Sequence, residues 1–223
     1  MSRSSNLFGG IFGTFAVSCI ALILVPQTQI GGIKEHENPD EGTRYPVWNS
    51  RPGRDIYVRE GCYYCHTQQI RDPQNGSDIG RGWGTRRTVA RDYIFENPPL
   101  LGSTRLGPDL TNAGNKSWRN EPADDYIARP PKRDRAWHLL HLYNPRAVVA
   151  ESIMPPYRYL FEEQKRGGQP PENVLPIAAR KADHVVVATA EAVQLVDYLL
   201  TLDRTSPLPE AGGAKPAAAA EKK

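Results

Sequence analysis

Several things are scarce in this chain, and each scarcity removes a class of protein. Of three cysteines in 223 residues, Cys62 and Cys65 lie three apart and Cys19 sits alone in an apolar run. No second Cys-x-x-Cys therefore exists to complete a four-ligand structural zinc site. An excess of one charge is missing too: 28 basic and 25 acidic residues are interspersed, and the net charge is only +3, which gives no nucleic-acid footprint. The 19 Gly and 20 Pro are too few for a low-complexity disordered chain, though enough for a loop-rich one. No pairing of general acids, activated Ser or Cys, or phosphate-binding Gly loop stands out, so no catalytic residue is assigned. Methionine is nearly absent, with Met154 the only one after Met1.

What is present is organised around Cys62-Tyr63-Tyr64-Cys65-His66. Two sulfurs at this spacing can each form a thioether with a haem vinyl group, and the adjacent histidine is placed to ligate the iron. A thioredoxin-like redox pair has the same Cys spacing but gains nothing from the histidine. The pattern therefore predicts one covalently attached haem c, with His66 as an axial ligand.

Residues 7–25 carry no charge and are rich in Phe, Ile, Leu and Val. As a helix they span roughly 28 Å, close to the hydrocarbon thickness of a bilayer. A cleaved signal peptide competes with this reading, but its apolar core is shorter and ends in small residues, whereas this run leads into Val25-Pro26-Gln27. Cys19 after Ala16-Val17-Ser18 faintly resembles a lipoprotein signal, and the apolar stretch beyond it argues against that. Arg3 precedes the run, while Lys34, Glu35, Glu37, Asp40 and Glu41 follow it. The weak basic bias places the N-terminus in the cytoplasm and the remainder in the periplasm, the side of the bacterial inner membrane on which haem is attached.

Downstream, Ser50 and Pro52 suit a helix start, and Gly61 a helix end, delivering Cys62. Residues 67–134 have little periodicity and read as a long loop covering a cofactor. Within it, Gly107-Pro108-Asp109-Leu110 is either an ordinary proline turn or a segment whose backbone carbonyl accepts the Nδ1 proton of His66. A helix is expected over residues 137–149, interrupted at Asn144-Pro145. Met154 is followed by two prolines, and a thioether is the sixth ligand that an electron-transfer haem of this kind uses. Its rivals are His36, His138, His141 and His184; the serious ones, His138 and His141, sit on a Leu-rich helix where hydrogen-bonded structural histidines are commoner. A last helix over residues 189–202 carries Val193, Val196, Leu199 and Leu200 as an apolar stripe and should pack on the first helix of the domain.

These motifs in this order resemble the mono-haem cytochrome c subunit, subunit II, of cbb3-type cytochrome c oxidases. The resemblance rests on residues 53–63, on Gly107-Pro108-Asp109-Leu110, on Trp137-His138 with His141-Leu142-Tyr143-Asn144-Pro145-Arg146, and on Glu151-Ser152-Ile153-Met154-Pro155. Residues 123–135 look inserted, and the Ala-Lys tail looks like local elaboration. The resemblance implies thioethers at Cys62 and Cys65 and axial ligands His66 and Met154. It also implies electron relay from a di-haem subunit or soluble cytochrome c to a catalytic haem-copper subunit.

The expected architecture is mainly α: one transmembrane helix plus a loop-rich class I cytochrome c-like domain. Its parts are an anchor over 1–29, a linker over 30–50, the haem domain over 51–205 and a disordered tail over 206–223. The site residues are Cys62, Cys65, His66, Pro108 and Met154, with His66 and Met154 on the metal. The chain is expected to be an electron-transfer subunit without a catalytic site of its own. Alternatives are the small cytochrome subunit of a nitric oxide reductase, a free-standing anchored carrier, and an enzyme with an exchangeable sixth ligand.

Overall fold

The computed structural model describes residues 3–31, 51–94, 96–115, 133–167 and 171–208. The expected linker from residue 32, the Ser50 cap, His36 and the apparent insertion over 123–132 lie outside them. The chain divides into two compact units, one holding the N-terminal helix and residues Ala90–Ile94, the other the rest.

In the first unit, helix α1 (Arg3–Cys19) passes through a π-helical turn (Ile20–Leu24) into α2 (Val25–Gly31). The stretch Ser4–Gln29 has 26 residues and a mean hydropathy of 2.3, about 39 Å of helix and sufficient to cross a bilayer. Phe12, Phe15 and Leu22 stand exposed along it, as side chains that meet lipid do. Thr14 Oγ1 donates to Gly10 O and Thr28 Oγ1 to Val25 O, both at 2.9 Å, so the hydroxyls are satisfied within the helix. Pro26 crowds the carbonyl four residues before it. The wider turn just ahead, in which Val25 N donates to Ile20 O, gives that carbonyl room.

The second unit is built on α3 (Arg51–Arg59), α4 (Arg135–Tyr143) and α5 (Ala190–Thr201). Pro52 occupies the first turn of α3, where its missing N–H costs nothing, and Gly61 reverses the chain beyond the helix with φ of 72°, a conformation glycine adopts without strain. Helix α3 packs against α5, as the apolar patterns predict. Gly53 makes the close crossing possible: a Cβ there would lie 2.0 Å from Gln194 O. One turn on, Tyr57 and Tyr198 meet with ring centroids 5.5 Å apart, and Gln68 Nε2 donates to Tyr198 Oη at 3.0 Å. The Thr189 side chain caps α5 by accepting from Ala192 N. Its buried face is Ala192, Leu195, Val196, Tyr198 and Leu199, with Val193 and Leu200 only partly buried. The stripe is therefore rotated from the expected one, because Tyr198 must reach Gln68.

Asp134 caps α4 by accepting from Trp137 N at 3.0 Å, so the helix starts two residues before the expected position. It stops at Tyr143, and a 3-10 turn over Pro145–Ala147 follows, since Pro145 cannot extend an α-helix. The mostly helical body also contains a feature that the mainly α expectation omitted. Strands β1 (Phe161–Lys165) and β2 (His184–Ala188) pair antiparallel, from Phe161 opposite Ala188 to Lys165 opposite His184. The run Val185-Val186-Val187 carries a β-branched signal, but Phe161-Glu162-Glu163-Gln164-Lys165 is largely charged and becomes a strand only through its partner. Of the expected tail only residues 206–208 are among those described: Ser206 O accepts from Arg86 Nε at 2.6 Å and Leu208 is buried.

Residues 67–89 and 96–115 form neither α-helix nor strand in this unit, yet buried carboxylates tie them down. Asp109 accepts from Thr67 Oγ1 at 2.5 Å, Gln69 N at 2.9 Å and Thr111 N at 2.8 Å. Asp78, with its side chain fully buried, accepts from Arg71 N at 2.7 Å and pairs with Arg105 and Arg71. Burial alone would raise the pKa of Asp78. The bonds from Arg105 and Arg71 outweigh it and hold the carboxyl below its ordinary value.

Candidate haem site

The end of α3 and the turn Cys62–Tyr64 deliver the motif to one wall of a cavity of about 540 Å³. His66 N donates to Cys62 O at 2.9 Å, and Gly107 N to Cys65 O at 3.0 Å. The motif is thus folded on itself and stitched to the strap that crosses it. Cys62, Cys65, His66, Pro108 and Met154 all line this cavity. Five residues spread over more than ninety positions of sequence are brought to one place.

His66 is positioned by two contacts. Its Nδ1 lies 2.7 Å from Pro108 O; as a carbonyl only accepts, the proton is on Nδ1 and Nε2 keeps its lone pair for a metal. Gly107 lies flat against the ring, where an added Cβ would come within 2.2 Å of Cε1. Burial lowers the pKa of His66, opposed by the Pro108 bond and the Asp109 charge, and this favours the neutral imidazole that coordination requires.

Cys62 and Cys65 are not bridged. Burial, and next the Glu60 carboxylate, push the Cys62 thiol up to about 12. At neutral pH that keeps the Cys62 sulfur a thiol. Met154 is partly buried against the core. Its N–H donates to Ser152 Oγ at 3.2 Å, and Tyr157 N donates to Leu142 O at 2.8 Å, holding the far end of the Met strap to α4.

Among the described residues, no group of three or more His, Cys, Asp or Glu side chains could hold a metal ion. One imidazole and one thioether are too few donors for a bare cation, but they suit an iron whose other four positions are filled by a macrocycle. Much of the wall is apolar, including Leu110, Leu142, Val149, Leu195 and Leu199, and its size lies within the range of cofactor pockets. The residues present fit a haem.

Of the rival histidines, His138 and His141 line the same cavity, while His184 lies 2.6 Å from Asp183 Oδ1 on β2. His141 stacks on Trp137 at 4.8 Å with an 8° interplanar angle. Its Nδ1 is buried with no hydrogen-bond partner among the described residues, which departs from the expectation of a hydrogen-bonded structural histidine. Sequence reasoning did not single out Arg81, Trp83 and Arg133 of the wall.

Compared with known families, residues 10–180 match the model described as Cytochrome C oxidase, mono-heme subunit/FixO. No curated protein matches the chain.

Proposed function

This chain belongs to the FixO family of mono-haem cytochrome c oxidase subunits, and from that premise we propose that it is the membrane-anchored electron-relay subunit of a cbb3-type terminal oxidase. In this reading one haem c is bonded to Cys62 and Cys65 and ligated by His66 and Met154. A di-haem cytochrome subunit or a soluble cytochrome c supplies electrons, and the haem-copper subunit receives them. The helix over Ser4–Gln29 anchors the protein in the bacterial inner membrane, and the haem domain faces the periplasm.

The observation that carries this reading is the convergence of both cysteines, His66 and Met154 on one apolar cavity, with His66 Nδ1 already bonded to Pro108 O. The bound haem supplies one-electron iron chemistry. The chain does the rest: Pro108 O fixes the tautomer and rotation of His66, Gly107 allows the strap to lie against the ring, and the apolar wall excludes water. With His66 and Met154 both holding the iron, no position on it would be left for substrate, and the subunit would relay electrons without a catalytic site of its own. A thioether ligand and burial both favour reduced iron and raise the potential.

Three measurements test the proposal. Denatured protein extracted with acidified acetone should keep its pigment, and Met154→Ala should abolish the oxidised-state absorption band at about 695 nm that reports Met ligation. In mild detergent the protein should copurify with a haem-copper subunit. Migration as a lone haem-staining 24.8 kDa band would refute the subunit assignment.

A further inference from the structure

A haem brings two carboxylates as well as a ring, and a buried carboxylate needs hydrogen bonds and a compensating charge. Among the described residues lining the cavity, the cationic side chains are Arg81 and Arg133 and the acidic one is Glu151. Arg133 reaches over the Trp137 ring at 5.6 Å, and His141 stacks parallel to that ring. Trp137 and His141 are four apart, the spacing that puts side chains in a row on one face of α4, and Arg133 stands just before the capping Asp134. The shielded Nδ1 of His141 has no acceptor among the described residues, so the favourable neutral tautomer leaves that nitrogen bare and carries the proton on Nε2. The ring edge bearing Nε2 is then the part of this cavity-lining residue that can meet a ligand.

We propose that Arg133, Trp137 and His141 form the propionate-binding wall of the haem pocket, with His141 Nε2–H donating to a carboxylate and Arg133 supplying the compensating charge. The proposal rests on the haem reading above. Its consequence is electrostatic: a carboxylate stripped of these partners exerts more of its negative charge on the iron, stabilises the oxidised state and lowers the midpoint potential.

The test uses the full-length protein in mild detergent as wild type, His141→Phe, His141→Gln and Arg133→Gln. Each is examined by haem staining after denaturation, by the band at about 695 nm, and by redox titration at several pH values. His141→Phe is expected to keep the stain and the band while shifting the reduced-to-oxidised ratio about tenfold at a fixed ambient potential, ~59 mV for one electron. The midpoint should also become pH-dependent as the exposed carboxylate titrates. Arg133→Gln should shift the same way, and His141→Gln, which retains an N–H donor, should recover most of the wild-type value. Should His141→Phe fail to accumulate, the other two variants decide. Wild-type midpoints in His141→Phe and Arg133→Gln, with stain and band intact, would overturn this proposal and leave the haem reading standing. Loss of the band in His141→Phe alone would overturn it as well, by making His141 a determinant of axial ligation. An unstained wild-type chain would sink the haem reading first and this wall with it.

Discussion

The two straps that close on the cavity are held in opposite ways. The His66 strap is fixed by polar groups: Pro108 O on the imidazole, Asp109 accepting from Thr67, Gln69 and Thr111, and Asp78 gathering Arg71 and Arg105. The Met154 strap has few bonds of its own. Ser152 Oγ accepts from Met154 N, Arg146 Nε reaches Ser152 O at 3.1 Å, and Tyr157 N reaches Leu142 O, while Pro155 and Pro156 stiffen the backbone beyond the sulfur. A ligand strap can therefore be built from a buried network or from local stiffness. The second kind is expected to open at lower free energy, since few interactions must break.

Each variant below breaks or sharpens that contrast. The largest effect is expected from Gly107→Ala. The new methyl would collide with the His66 ring and drive it off Pro108 O, at a cost of about 3 kcal/mol, and haem-loaded protein in a stained gel should fall at least tenfold, on the order of 1.4 kcal/mol or more. Wild-type loading would show that the strap is as pliant as its counterpart.

Asp78→Asn comes next, since it leaves Arg105 and Arg71 without their buried carboxylate, at about 3 kcal/mol by chemical denaturation. The pH dependence has a definite sign. A carboxyl held below its unfolded pKa of about 3.9 contributes stability that is complete above that value and is lost as pH falls through the lower, folded-state value. Wild type should lose this stability below about pH 4, and the variant should lose correspondingly less across the same window. Parallel pH profiles for the two would exclude Asp78 as the source.

On the other strap, Ser152→Ala removes one hydrogen bond, worth about 1 kcal/mol. Global stability should fall by no more than that ~1 kcal/mol, well short of the Asp78→Asn effect, and in the haem-loaded protein added cyanide or imidazole should displace the proposed Met154 ligand about fivefold more readily, read as bleaching of the band at about 695 nm. If Ser152→Ala destabilised the fold as much as Asp78→Asn, the contrast between the straps would be wrong. The smallest effect is expected from Arg59→Gln. Its pair with Glu191 at 2.8 Å is solvent-exposed, and such pairs are screened by water and salt. Thermal melts of the two proteins should superimpose at high salt.

Much of the site was legible in the chain because its chemistry is local. The Cys-x-x-Cys-His spacing and the single internal methionine before two prolines each announce a role within a few residues. Likewise the long apolar helix needs only length and hydropathy, and Gly61 marks a helix end by its own conformational preference. The interior loop was less legible. Its order comes from Asp78 and Asp109, buried carboxylates whose partners lie up to 42 positions away, and no periodicity records such a pairing. The charged strand β1 was hidden for a related reason, since its conformation is imposed by β2.

The sequence by itself therefore determined which atoms could bond to a haem and that a helix long and apolar enough to cross a membrane precedes them. Covalent spacing and hydropathy are properties of neighbouring residues. Only the tertiary structure decided that Pro108 supplies the carbonyl for His66, that Gly107 and Gly53 are places where chains touch too closely for a Cβ, and that His141 joins the cavity wall through Trp137. These are facts of approach between distant segments, fixed by packing and by the need to satisfy buried polar groups.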